Sequence, residues 1–159
     1  MLNAEEKQLI EQAVRHYEHP RAACLEALKI VQERRGWVSD DDVRDVADAL
    51  AMSPAEVDSL ATFYSLIFRR PVGRHVILVC DSVSCWIMGY ERIVQHISER
   101  LGVGLGETTP DGEFTLLPVV CLGACDRAPA MMIDGDLHGD LTEEVIDQLL
   151  VTYRGKKME

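Results

Sequence analysis

Four of the five cysteines in this chain form two close pairs in its C-terminal half, Cys80 with Cys85 and Cys121 with Cys125. Thiolates that meet in a reducing compartment bind either a zinc ion or an iron–sulfur cluster. Zinc sites most often use pairs with two intervening residues, whereas four and three residues intervene here. The wider spacing favours a 2Fe–2S cluster, whose two irons share four thiolates.

Disulfides and zinc are the competing interpretations of these cysteines. A disulfide framework fits poorly, because the cysteine count is odd and residues 1–7 have neither the basic nor the apolar region of a secretory signal. A Rieske-type centre would need two histidine ligands, and His96 is the only histidine between the two pairs. Zinc held by the same four thiolates stays open on the residues alone. Cys24 lies in an apolar helical stretch, and we expect it to be a buried thiol outside the site.

The composition is that of a globular protein with an acidic charge balance. The sequence has 16 Lys and Arg against 27 Asp and Glu, a formal net charge of −11. Because nucleic acid is bound by basic residues that neutralise phosphates, this balance argues against a nucleic-acid partner. No apolar run approaches the ~20 residues that span a bilayer, so we expect a soluble chain without direct membrane insertion.

Residues 1–70 carry a helical pattern throughout and are predicted to form a helical bundle. Ser39 and Ser53 have the sequence of N-caps, because each is followed three residues later by an acidic residue. The last helix is expected to pack three side chains on the preceding helices, namely Leu60, Phe63 and Tyr64. No cluster of reactive side chains occurs in this segment, so we expect it to serve packing or partner docking.

Residues 71–159 change to a pattern that alternates between strand and helix. The predicted segments are a strand at 76–79, a helix at 90–101, a strand at 114–120, a strand at 131–133 with a turn at 134–135, and a helix at 142–155. Pro118 indicates an exposed edge position or a bulge in the second strand. This order predicts an α/β chain in which the helical bundle is followed by a thioredoxin-like domain.

The predicted topology brings the distant cysteines together. A strand–helix–strand crossover makes the first two strands parallel, so Cys80 and Cys121 leave the same edge of the sheet. Loops at the carboxyl ends of such strands are where α/β sheets bind ligands. Both cysteine pairs are therefore expected at one metal site, for zinc and iron–sulfur alike. The small residues Gly123 and Ala124 are expected to let backbone N–H groups approach the sulfurs.

The two cysteine segments resemble the cluster loops of a known family. Residues 79–85 and 121–129 are similar to those of the thioredoxin-like 2Fe–2S subunits, of the 24-kDa type, in NADH:quinone oxidoreductase (respiratory complex I). The resemblance extends through residues 61–64, 70–73 and 131–134 and covers nearly the whole chain. It includes the helical bundle at residues 1–70, whose pattern suggests partner docking, and it implies a 2Fe–2S ferredoxin domain at residues 71–159 with one cluster and the ligands Cys80, Cys85, Cys121 and Cys125.

The resemblance also implies a role in electron transfer. The cluster would exchange single electrons with the FMN of a neighbouring NADH-oxidising flavoprotein subunit, beside other peripheral-arm subunits. The location would be cytoplasmic and peripheral to the inner membrane. No catalysis is expected from the isolated chain, because a one-electron cluster does not accept a hydride and the glycine-rich segment 102–106 lacks the third glycine of a dinucleotide motif.

Two alternative functions accompany this interpretation. The same module serves NAD-dependent formate dehydrogenases and bidirectional hydrogenases, and a zinc-stapled adaptor would have no redox role. The charges beside the cysteines indicate a low potential for a bound cluster, because Asp81 and Asp126 oppose Arg127 and disfavour an added electron. We therefore expect a midpoint potential toward that of plant-type ferredoxins, about −400 mV.

Overall fold

The computed structural model describes residues 1–155, and the chain divides into two compact units, Met1–Pro71 and the residues from Val72 onward. The first unit is all helical. Its elements are α1 (Ala4–Val14), a 3₁₀ turn (Pro20–Ala23), α2 (Cys24–Arg35), α3 (Asp40–Leu50) and α4 (Pro54–Phe63). No helix among the described residues is long and apolar enough to cross a membrane.

Reciprocal caps determine where three of these helices begin. Asn3, Ser39 and Ser53 each accept a hydrogen bond from the backbone N–H three residues on. The acidic side chain at that third position accepts one in return from the N–H of the cap residue. Each pair satisfies two backbone groups that a helix leaves without an intrahelical partner. The caps at Ser39 and Ser53 are those that the sequence predicts, whereas the cap at Asn3 was not predicted.

The last helix of this unit buries a different face from the one predicted. Val57 and Ala61 are fully buried, and Leu60 packs half-buried against the same core. Phe63 is 78% exposed and Tyr64 is 40% exposed, so the prediction that both pack on the preceding helices is wrong. Each helical residue advances by about 100°, which places Phe63 about 120° around α4 from Val57 and off the buried face. The helix ends there, because Tyr64 has an extended backbone.

A buried ion network joins α1, α2 and α3. Glu6 is 1% exposed, and Arg35 donates to it from Nε at 2.9 Å and from Nη2 at 2.6 Å. The same guanidinium binds Asp42, the buried acidic residue that pairs with the Ser39 cap of α3. The hydrogen bonds from Arg35 hold the pKa of Glu6 below its usual range, although burial acts in the other direction. Two buried carboxylates therefore depend on one arginine.

In the described part of the chain, the second unit is a five-stranded sheet with three α-helices and a 3₁₀ turn (Cys125–Arg127). Its strands are β1 (His75–Cys80), β2 (Glu107–Thr108), β3 (Phe114–Val119), β4 (Met131–Ile133) and β5 (Asp136–His138), in the spatial order β2-β3-β1-β4-β5. The helices are α5 (Val83–Ile87), α6 (Tyr90–Leu101) and α7 (Glu143–Gly155). β1 and β3 are parallel, and the other neighbouring strands are antiparallel.

Alternate residues of the three central strands pack against α6 and α7. Because side chains on a strand alternate between its faces, one face supplies the core. The core side chains are Ile77, Val79, Phe114, Leu116, Met131 and Ile133 from the strands, and Ile93, Ile97, Ile146 and Leu150 from the helices. The predicted α/β fold with its N-terminal helices is confirmed, including the parallel strand pair and the amphipathic helix at residues 90–101.

Two short segments of this unit, α5 and β2, were not predicted from the sequence. On β3, only Thr115 and Leu116 pair with β2. Pro118 therefore has no neighbouring strand on the side of β3 that faces β2, and its missing N–H removes no strand–strand hydrogen bond on that side. The Ala128–Pro129 peptide bond, just before β4, is cis.

We expect the substitution Arg35→Met to lower the free energy of unfolding by about 3–5 kcal/mol, because Glu6 and Asp42 would stay buried without their counter-charge. Denaturant unfolding followed by helical circular dichroism measures the loss. The matched control is Arg34→Met, which removes only the exposed pair between Arg34 and Glu5 and should change stability far less. Equal losses in the two variants would contradict a role for the buried network.

The pH dependence of this loss has a definite sign. With its pKa lowered by Arg35, Glu6 contributes stability above the ordinary glutamate pKa and loses it as the pH falls through the lowered value. In Arg35→Met the largest lowering cause is gone, so burial raises the pKa of Glu6 against only the Asn3 backbone hydrogen bond and the charge of Arg34. The stability deficit of the variant should therefore shrink as the pH is lowered from about 7 to about 4. Unfolding curves at several pH values test this, and a deficit that grows in acid would contradict it.

Candidate metal centre

The four paired cysteines lie at the carboxyl edge of the parallel strands. Cys80 is the last residue of β1 and is paired in register with Val119, the last residue of β3. The Asp81 N–H donates to the Val119 carbonyl at 3.0 Å, so the strands separate only after the first cysteine. Cys121 follows β3 after one intervening residue. Both cysteine loops therefore begin at one edge of the sheet, as the predicted topology requires.

The short helix α5 carries the second cysteine of the first loop. Cys85 is its one buried residue. This helix was not predicted from the sequence, because its five residues are too few to show a helical period. Gly89, with a φ of 105°, separates α5 from α6. A glycine directly after the apolar residues 86–88 was the sequence signal for a break between two helices.

The two cysteine pairs differ in their exposure to solvent. Cys80 and Cys85 are buried, whereas Cys121 and Cys125 are exposed. The buried pair lies in a small apolar cluster that also contains Ala124, Ala128 and Ala130, with Val119 and Leu122 packed against it. The site therefore has an apolar inner wall and an outer side that is open to solvent.

The surroundings of Cys85 show that the two loops approach each other. Burial raises the pKa of the Cys85 thiol, and so do a hydrogen bond with Cys80 and the charges of Cys80 and Cys125. A hydrogen bond with the Ala130 backbone acts in the opposite direction. Cys85 thus interacts with a cysteine from each loop. Because metals bind thiolates, a raised pKa keeps this sulfur protonated until a cation replaces the proton.

A glycine shapes the second loop around its first sulfur. Gly123 has a φ of 73°, in the left-handed region that favours glycine. In this conformation its backbone N–H donates to Sγ of Cys121 at 3.3 Å. The expected approach of backbone N–H groups to the sulfurs is therefore present at Gly123. Hydrogen bonds of this kind tune the potential of iron–sulfur clusters.

The fifth cysteine belongs to the core of the helical unit. Cys24 is the first residue of α2 and is buried among that unit's apolar side chains. Burial raises the pKa of its thiol, which disfavours the thiolate form that binds metals. The expectation of a buried structural thiol is met.

The chemistry of the paired cysteines fits an iron–sulfur cluster. Soft thiolate ligands select zinc, copper(I) or iron–sulfur clusters. Among residues 1–155, no three His, Cys, Asp or Glu side chains form a group that could hold one metal ion. A 2Fe–2S cluster takes four thiolates, two on each of its irons. Two pairs of cysteines on two loops offer that number of thiolates.

Large apolar side chains stand exposed around the cysteines. They are Val83, Trp86, Ile87, Met88 and Val120, each more than half exposed, and they are called the apolar rim below. Four of them lie in or directly after α5, and the fifth precedes Cys121. Exposed apolar patches on soluble domains mark interaction surfaces. The open side of the site is therefore a surface suited to contact with another protein.

Known proteins match this chain over nearly its whole length. Residues 10–154 match the family thioredoxin-like [2Fe-2S] ferredoxin. The NADH-quinone oxidoreductase E subunit of Pseudomonas aeruginosa is 54% identical over 153 residues, which cover 96% of this chain and 92% of that protein. Its counterpart in the NADH-quinone oxidoreductase of Escherichia coli K12 has the same identity and the same coverage.

The fold has relatives among solved structures as well. The crystal structure of an NAD+-reducing [NiFe]-hydrogenase in its H2-reduced state matches with a TM-score of 0.73 and 24% identity, over 86% of this chain and 23% of that one. At this identity the likeness concerns the fold alone. The resemblance seen in the cysteine loops is confirmed by the sequence relatives. Because the family match and both relatives span most of its length, the chain belongs to the thioredoxin-like [2Fe-2S] ferredoxin family.

Proposed function

We propose that this chain is the electron-transfer subunit of an NADH:quinone oxidoreductase and holds one 2Fe–2S cluster through Cys80, Cys85, Cys121 and Cys125. The observation that carries the proposal is the meeting of two cysteine pairs at the carboxyl edge of β1 and β3. Membership of the ferredoxin family supports the cluster. The NADH-quinone oxidoreductase relatives, 54% identical over 96% of the chain, support the host complex.

The protein's own residues would shelter and tune such a centre. When bound, the cluster takes up and releases one electron at a time. Ala124, Ala128 and Ala130 keep water from the buried pair of sulfurs, because they fill the space behind Cys80 and Cys85. The Gly123 N–H directs a partial positive charge at the sulfur of Cys121. A dry inner wall and hydrogen bonds to sulfur are two means by which proteins set a cluster's potential.

The proposal includes a flavoprotein partner that oxidises NADH. A hydride carries two electrons, so a one-electron centre needs a flavin between itself and NADH. The glycine-rich segment 102–106 leads into β2 and does not begin a helix, which a dinucleotide-binding fingerprint requires. We therefore assign FMN and NADH to a neighbouring subunit, with other peripheral-arm subunits nearby. A cytoplasmic location, peripheral to the inner membrane, belongs to the same proposal.

We place the flavoprotein contact at the apolar rim. Electron transfer slows steeply with distance, so the donor must approach the open side of the cysteine site. Trp86 and Ile87 stand on that side, and their exposure in water is unfavourable unless a partner covers them. Docking by residues 1–70, expected from the sequence, stays a prediction; the exposed Phe63 and Leu66 are the apolar side chains that it would use.

A hydrogenase is the second candidate host. Its supporting observation is the shared fold with the NAD+-reducing [NiFe]-hydrogenase, at a TM-score of 0.73. The identity there is 24%, against 54% to the NADH-quinone oxidoreductase relatives, and this chain corresponds to only 23% of the hydrogenase chain. The complex I assignment is therefore favoured. Copurification with quinone-module and membrane-arm subunits, as opposed to hydrogenase subunits, distinguishes the two hosts.

The first prediction concerns the metal content. Purified without oxygen, the chain should contain about two irons and about two acid-labile sulfides, and reduction should give the EPR signal of one spin-½ centre. Cys125→Ser should lose most of this content or alter the signal. The control Cys24→Ser removes a buried thiol from the helical unit and should leave the cluster in place. Stoichiometric zinc in a colourless protein would overturn the assignment.

The second prediction concerns the route of electrons. NADH should not bleach the visible absorption of the flavin-free chain, because the cluster takes up one electron at a time and does not accept a hydride. Addition of the FMN-loaded flavoprotein subunit should make bleaching by NADH rapid. Dithionite serves as the control and should bleach the cluster in both samples. Fast bleaching by NADH of the chain alone would contradict the assignment of FMN and NADH to a neighbouring subunit.

The third prediction concerns the docking surface. Ile87→Asp should weaken binding to the FMN-loaded flavoprotein subunit by about tenfold or more, because the contact would bury an unpaired charge. Val151→Asp is the matched control, since Val151 is 74% exposed on α7 and Ile87 is 70% exposed on α5. Titration calorimetry of the cluster-loaded chains gives both affinities. Equal affinities for the two variants would exclude the apolar rim as the contact.

A further inference from the structure

The segment between the last strand and the last helix lies directly against the second cysteine loop. Residues 139–141 belong to the connection between β5 and α7, and residues 127–129 come shortly after Cys125. The Asp140 N–H donates to the Arg127 carbonyl at 2.6 Å, and the Leu141 N–H donates to the Pro129 carbonyl at 3.2 Å. Two backbone hydrogen bonds therefore tie the loop that carries Cys125 to a segment outside the site.

The approach of the two backbones leaves no room for a side chain at Gly139. A Cβ added there would lie 2.5 Å from the Cβ of Arg127 and 2.8 Å from its carbonyl oxygen. Separations this short force atoms to move, and neither neighbour is the free end of a flexible side chain. The φ of Gly139 is not positive, so glycine is required here by space and not by its backbone conformation.

The segment is itself anchored in the core of the sheet unit. Leu141 is buried in the same apolar cluster as Val79, Met131 and Ile146. The position of residues 139–141 is thus determined by packing under the sheet, and their hydrogen bonds transmit that position to the Cys125 loop. An ion pair between Arg127 and Asp140 at 3.2 Å adds to the contact, but both side chains are more than half exposed and the pair is screened by solvent.

We propose that the 139–141 segment positions Cys125 for cluster binding and that Gly139 is the residue on which this depends. Gly139 is a positioning residue, because it acts on the sulfur only through the backbone of residues 127–129. The inference rests on the proposed function, in which Cys125 is a ligand. Groups that hold metal ligands in place from outside the ligand set affect metal retention strongly, by about 10–100-fold when replaced.

The test compares two glycine variants of the full-length chain loaded with its cluster. Gly139→Ala forces the 139–141 segment away from Arg127, and chelator should then remove the cluster about tenfold faster than from the unsubstituted chain. The EPR spectrum of the reduced protein should also change, because the Cys125 sulfur moves. Loss of visible absorption in the presence of chelator gives the rate, and the spectrum reports on the ligand geometry, which a general loss of stability would not alter.

The matched control is Gly73→Ala, which creates comparable crowding at the other end of the sheet. A Cβ at Gly73 would lie 2.9 Å from the backbone carbon of Phe114, at the start of β3, whereas the cysteines lie beyond the ends of β1 and β3. Gly73→Ala should destabilise the unit yet keep the unsubstituted EPR spectrum and a similar rate of cluster loss. Equal rates and spectra in the two variants, or a Gly139→Ala protein that matches the unsubstituted chain, would overturn the inference.

A second variant keeps the inference testable should Gly139→Ala fail to fold. Arg127→Gly combined with Gly139→Ala removes the closest colliding atom and leaves the 2.8 Å approach to the carbonyl oxygen, so it should fold better and lose its cluster more slowly than Gly139→Ala alone. A double variant that is no better than Gly139→Ala, while Gly73→Ala folds, would contradict the contact. The unsubstituted chain distinguishes the proposed function from this inference. If the unsubstituted chain binds no 2Fe–2S cluster, the proposed function fails. If it binds the cluster and Gly139→Ala retains the cluster normally, only this inference fails.

Discussion

The parallel pairing of β1 with β3 is the constraint on which the site depends. Its register sets Cys80 opposite Val119, so two chain segments that are far apart in sequence deliver their cysteines to one edge. The crossover that makes the strands parallel is held by α6, whose Ile93 and Ile97 pack into the core of the sheet. Because side chains alternate along a strand, a slip of one residue would turn Cys80 toward the opposite face. The apolar pattern that packs the sheet therefore also directs the sulfur.

Local signals account for the parts of the structure that the sequence predicted. Ser39 and Ser53 mark helix starts because their partners lie three residues away, and the parallel strands follow from a general rule about crossovers. The same rule predicted that the cysteine loops begin at one edge of the sheet. The exposure of Phe63 was not predicted, because apolar composition does not show which helical face has a neighbour. The role of Gly139 was also hidden, because a close approach of two backbones depends on tertiary packing and a glycine in a loop indicates only a turn.

Burial of one cysteine pair sets up a competition between protons and metal. In the absence of metal, burial and the neighbouring thiols raise the pKa of Cys85, so ionising it is unfavourable. Cationic iron reverses this balance, because the positive charge stabilises the thiolates in the same apolar surroundings that destabilised them alone. Binding must then release protons, and acid must favour release of the cluster. The pair on the second loop is exposed, so in the proposed centre the geometry of that loop, and not its burial, would govern how firmly its sulfurs hold the cluster.

Electron transfer places opposite demands on the two sides of the site. The inner side must exclude water and stay rigid, and here three alanines and the end of β1 supply a packed wall. The outer side must allow a donor to come close, and it is there that Cys121 and Cys125 are exposed and that Trp86 and Ile87 project into solvent. A chain that acted alone would gain solubility by replacing such residues with polar ones, since exposed apolar surface promotes association. The position of Trp86 and Ile87 beside the cysteines is explained if electrons enter through the open side of the site and a partner covers that same side.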